Sequence, residues 1–228
     1  MDPLKIIPVI YQNVRGQIRD GDIFCWDHTR LLHSRVIAWF ERWVTRRPFA
    51  TESHASVARW WGTSQLFDLG VIEGYGGHPI RLVEQVRQYP GLCHVYRHPK
   101  LHAARMAEGM GYRCGRRYGW WDIFYVTLAG FRKLLHLPRL WRLELTDQST
   151  LDCSDSVAYE SLRAGFDGET PDDWPDPPGV TPVDLAEYLA PYYQFTLFAT
   201  EWQVRRFEQR QRKLREKQAM REKFPVAQ

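Results

Sequence analysis

"SHASVARWWGTSQLFDLGVIEG", residues 53–74, reads as two strands folded about one turn. "HASVARWW" supplies alanine, valine and tryptophan for the first strand, and "SQLFDLGVIEG" supplies the second. Gly62-Thr63 between them gives the hairpin. Upstream, "GDIFCW" adds a short strand over Asp22–Trp26, and downstream "LCHVYRH" adds another, after "YGGHPI", which reads as a Gly-Pro loop. Residues 30–45 place Leu32, Val36, Trp39, Phe40 and Trp43 on one helical face. A helix starts near Pro99, whose missing N–H costs little there. "WWDIFYVTLAGFRKLLHL" forms another, ending in Arg132, Lys133 and His136, where cations suit the helix dipole. A helix opened by Cys153, a short helix over Pro182–Leu189 and a strand in "YYQFTLFA" complete the body.

Strands and helices in this irregular order specify an α+β class, with a small antiparallel sheet packed against helices. Residues 1–200 form one domain and 201–228 a charged helical tail with a thin apolar stripe of Trp202, Phe207 and Leu214.

The composition narrows the function. In 228 residues, 44% are hydrophobic and ten are tryptophan, enough for a packed core and too much for a disordered chain. A net charge of +4 gives no strong nucleic-acid signal, and its excess lies largely in the tail, which offers a helix for a protein partner. No apolar run is long enough for a transmembrane segment. Cys25, Cys93, Cys114 and Cys153 form no CxxC pair, which favours free thiols and, with no signal peptide, a cytoplasmic setting. His94, His98 and His102 recur every four residues, yet Pro99 breaks the helix a metal face would need. Neither a metal nor a cofactor is expected.

Cys153 is the candidate nucleophile. At a helix start, the dipole and the free backbone N–H groups favour a thiolate and can hold an oxyanion. Asp152 opposes that unless its carboxylate caps the helix. His54 opens a strand among small residues and can serve as base. Glu73 ends the next strand, so the hairpin can bring a carboxylate to orient it, with His78 in the "GGHP" stretch as rival.

Six short motifs, in order, resemble the permuted NlpC-type papain-like cysteine hydrolases, especially the YiiX-like branch. They are "GDIFCW", "SHASVA", "VIEGYGG", "YGWWD", "DCSDSVAY" and "VTPVDLAEY", together covering roughly residues 15–200. His before Cys is the mark of the permuted form. The resemblance implies a circularly permuted papain-like fold, with Cys153 as nucleophile, His54 as base and Glu73 as third member. Tyr118, Ser53 and Ser154 fall on the substrate side. It further implies amide cleavage in a peptide or peptidoglycan fragment, in a bacterial or phage-associated setting. The Asn-Cys-Glu-His segment of the lecithin-retinol acyltransferase branch is absent, which sets lipid thioesterase or acyltransferase chemistry second. A non-catalytic phage or virion-associated binding module is a third reading.

Overall fold

The computed structural model describes residues 6–27, 52–72, 76–88, 91–115, 153–175 and 180–223. Within them the fold is mixed α and β: one seven-stranded sheet and six α-helices. The strands are β1 (Pro8–Ile10), β2 (Ile23–Asp27), β3 (Glu52–Trp61), β4 (Gln65–Ile72), β5 (Gly76–Arg81), β6 (Cys93–Tyr96) and β7 (Tyr193–Phe198). The helices are α1 (Tyr11–Val14), α2 (Leu82–Gln88), α3 (Ala103–Arg113), α4 (Cys153–Ala164), α5 (Pro182–Leu189) and α6 (Glu201–Lys223). In space the strands run β1-β7-β6-β2-β3-β4-β5.

The expected hairpin is present as antiparallel β3 and β4, with Gly62 between them at φ 61°. Three expectations are corrected. The sheet is larger than a small antiparallel one, and its edge strand β1 pairs with β7 in parallel. "YGGHPI" is mostly strand: β5 is the other edge, where Pro79 can be accommodated at a position that need not donate. The helix expected from Pro99 starts at Ala103, and α2 occupies a stretch the sequence reading left unassigned. The 30–45 and "WWDIFYVTLAGFRKLLHL" helices lie outside the described residues.

β2 is the centre of the architecture. Its sequence, Ile23-Phe24-Cys25-Trp26, is continuously apolar because both of its faces are buried, as expected for an interior strand. On one face Ile23 and Cys25 join Ala55, Val57 and Leu69 against α3, α4 and α5, through Met106, Met110, Val157, Ala158, Leu185 and Leu189. On the other, Phe24 and Trp26 join Ala58, Leu66, Val95 and Leu197 against Tyr11, Val14, Ile18, Leu82 and Val86. Each large apolar side chain so buried stabilises the fold by roughly 1.5–3 kcal/mol.

The Gly21-Asp22 pair fastens the start of β2. Gly21 has φ 77°, and a Cβ there would collide with the backbone of Ala103. The Asp22 carboxylate, almost fully buried, accepts from Arg97 Nε at 2.7 Å and Arg97 Nη2 at 2.6 Å, joining β2 to the end of β6. Among the described residues, helix α6 meets the body through Phe207 of its expected stripe. Phe207 packs on Phe198 with centroids 5.3 Å apart, while Trp202 and Leu214 are exposed. No described helix is long and apolar enough to cross a membrane.

Candidate functional site

Cys153 is the first residue of α4, a twelve-residue helix whose apolar face, Val157 and Ala158, packs on β3. The first turn is fixed by its polar neighbours. Ser154 donates from Oγ to the Val180 carbonyl at 2.7 Å, and Asp155 accepts from the Val180 N–H at 2.8 Å. Ser154, expected on the substrate side, is thus fully buried and holds the loop that leads into α5. That loop ends in a capping box: Thr181 Oγ1 accepts from Asp184 N at 3.1 Å, and Asp184 accepts from Thr181 N at 3.3 Å. With Pro182 at the first helical position, the "TPVD" segment is accounted for as a helix start.

The thiol of Cys153 is buried against the face of the sheet that carries Cys25. There Cys25 is pushed well above the usual thiol range, first by desolvation and then by the nearby Glu52 carboxylate and Cys153. Cys25 pairs in register with His94 of β6. His94 is buried, and its Nδ1 shares a 2.7 Å hydrogen bond with Thr196 Oγ1, which in turn bonds Tyr193 Oη at 2.8 Å. Desolvation lowers the His94 pKa to about 4 against the opposing pull of Glu52. Cys153, Cys25, Glu52 and His94 therefore share one face.

His54 is turned the other way. Trp26 pairs with His54, but the next residue of β2, Asp27, pairs with Glu52, so Ser53 is an extra residue in the β3 ladder. This bulge breaks the alternation. Glu52 lies with Cys25 and His94, whereas His54 lies with Ser56, on the face of Trp26. The His54 ring folds over Gly70, where an added Cβ would stand 2.9 Å from Nε2. Gly70 pairs in register with His78, so the rival orienter is on the strand beside it. The half-buried His54 ring has its pKa lowered to about 4 by desolvation.

A second polar group lies on the His54 face. Trp26 Nε1 donates to Ser56 Oγ at 2.9 Å, and Ser56 hydrogen-bonds Asp68. Asp68 is buried, its Oδ1 has no hydrogen-bond partner among the described residues, and desolvation pushes its pKa up to about 7 despite the Ser56 bond.

Of the expected site residues, the structure thus seats Cys153 and Ser154 at the start of α4, Ser53 in the bulge and His54 across the sheet. Glu73, Tyr118 and Asp152 lie outside the described residues. Glu52 and His94, beside Cys25 on the Cys153 face, were missed by the sequence reading. Strict alternation would group Glu52 with His54, and only the bulge reverses that. The three histidines of the 94–102 series are separated: His94 is in β6, His98 sits in a ring of aromatic side chains, and His102 faces Asp167 at 3.5 Å. None of the four cysteines forms a disulfide with another. No family model matches the chain, and no curated protein matches it either.

Proposed function

We propose that the chain is a cysteine hydrolase cleaving an amide bond, built on a circularly permuted papain-like fold of the NlpC type. The observation that carries the reading is the position of Cys153, the first residue of a helix packed on the sheet, on the face that holds a histidine and a carboxylate. The order of the six motifs supports the same reading.

In this reaction the Cys153 sulfur attacks the substrate carbonyl carbon while a neutral imidazole takes the thiol proton. The positive end of the α4 dipole, where Cys153 sits, favours the developing oxyanion. Collapse breaks the C–N bond, and the imidazolium returns the proton to the leaving amine. Water then hydrolyses the thioester, freeing the acid and restoring the thiol. Motif order supports His54 as the base, and a shared face supports His94. With pKa values near 4, both imidazoles are neutral at pH 7 and able to accept a proton. Peptides of the cell-wall type are the substrate class the resemblance favours.

Carbamidomethylation of Cys153 by iodoacetamide, followed by peptide mapping across pH 5–9, tests this in wild type, His54→Ala and His94→Ala. The base is the histidine whose removal slows modification near neutral pH. If neither removal slows it, and Cys153→Ala retains all hydrolysis of a peptide panel, the hydrolase reading is lost. A non-catalytic binding module then replaces it, a reading favoured by the turn of His54 away from the Cys153 face.

A further inference from the structure

The longest helix leaves a concavity where it departs from the sheet. A cavity of about 410 Å³ lies between the first half of α6, the end of β7 and the end of α2. Leu197 and Phe198 contribute apolar surface to it, Trp202 and Phe207 add aromatic surface, and Arg87, Arg206 and Arg210 line it with no carboxylate among its lining residues.

A basic surface helix ordinarily neutralises itself with glutamates one turn away. Elsewhere on α6 this happens: Arg205 pairs with Glu201 at 3.2 Å and Arg212 with Glu216 at 3.9 Å. Arg206, Arg210 and Arg87 have no acidic partner among the described residues. The Arg206 guanidinium lies 5.0 Å from the centroid of the Trp202 ring instead. Three like charges around one concavity repel one another unless an anion is present. Planar guanidinium forks suit phosphate oxygens in bidentate pairs. A volume of this size falls in the range of small-molecule sites, about 300–1,000 Å³.

We propose that this cavity binds a water-soluble phosphomonoester that carries an aromatic or aliphatic body. The phosphate is held by Arg206 and Arg210 with Arg87 opposite, and the body lies on the apolar surface. The proposal is independent of Cys153 and of the hydrolase reading.

Calorimetric titration of the full chain with phenyl phosphate near 0.15 M salt tests it. The expected result is saturable one-to-one binding, tighter than that of inorganic phosphate or phenol alone. Affinity falls tenfold or more in the Arg206→Gln, Arg210→Gln double variant and stays unchanged in Arg205→Gln, whose arginine is already paired. The side chains are exposed, so thermal unfolding should be unaltered and a loss of binding is readable as such. Absence of saturable binding, or an equal loss in Arg205→Gln, overturns the proposal. So does binding to phosphatidate-containing vesicles without binding to phenyl phosphate, which assigns the surface to lipid.

Discussion

Arg113 donates from Nε to Glu160 Oε1 at 2.5 Å, and both side chains are buried between α3 and α4. The pair is the strut that sets the Cys153 helix against its neighbour. The Arg113 guanidinium also lies 4.7 Å from the centroid of the Tyr159 ring, and Arg163 approaches the other Glu160 oxygen at 3.6 Å. Glu160→Ala leaves the Arg113 charge buried without its carboxylate and is expected to lose about 3–5 kcal/mol in urea unfolding, whereas Arg113→Ala should lose less, because Arg163 still reaches Glu160. Gly109→Ala should also destabilise, because the Glu160 carboxylate occupies the space of the added methyl.

Asp68 gives a pH dependence with a definite sign. Its folded pKa of about 7 lies above the usual carboxylate value, so the folded state holds a proton that the unfolded chain releases between about pH 4 and 7. Its contribution is therefore favourable at low pH and is lost as pH rises through 7. Asp68→Asn keeps an acceptor for Ser56 without the ionisation. Its stability relative to wild type should climb from pH 4 to pH 7.5 by an amount on the order of a few kcal/mol, read from thermal melts across that range.

His98 is buried with neither ring nitrogen hydrogen-bonded among the described residues, enclosed by Phe166, Trp174, Tyr188 and Tyr192 at centroid distances of 4.4–6.2 Å. Desolvation is the first cause of its lowered pKa, followed by Lys100. A lowered histidine pKa contributes stability at neutral pH that is lost as pH falls below about 6.5. Phenylalanine fills the same space without polar atoms. His98→Phe is expected to gain on the order of 1 kcal/mol at pH 7 and more at pH 5, measured by thermal unfolding.

Thr181 closes the capping box of α5, and Thr181→Ala should cost about 1 kcal/mol in the same assay, with Thr181→Ser nearly neutral. Because α5 packs on β3, a larger loss would mean that α5 and the sheet unfold as one unit.

How much of this was legible in the sequence depends on how local each signal was. The β3–β4 hairpin, α4, α5 and β7 each announce themselves by periodicity, a turn glycine or a cap within a few residues. β5 does not, because its Gly-Gly and Pro79 mimic a loop, and only its place at the sheet edge makes a proline acceptable there. The parallel pairing of β1 with β7 joins residues nearly the whole chain apart, and three residues of Pro-Val-Ile carry no sign of it. Cys153 was found as a helix start. The grouping of Glu52 and His94 around Cys25 was hidden because it depends on a register shift, a property of two paired strands that neither displays alone.

That register shift makes Ser53 a spare link in the ladder. Glu52 and His54 occupy opposite faces because two residues of β3 answer one step of β2, and a chain lacking Ser53 would reach the same two faces by plain alternation. It is the looping-out of Ser53 from the ladder, rather than its mere presence in the sequence, that turns the imidazole and the carboxylate to opposite faces. What it adds is a local bend where the strand enters the sheet, and so a means of tilting His54 over Gly70 independently of the strands around it.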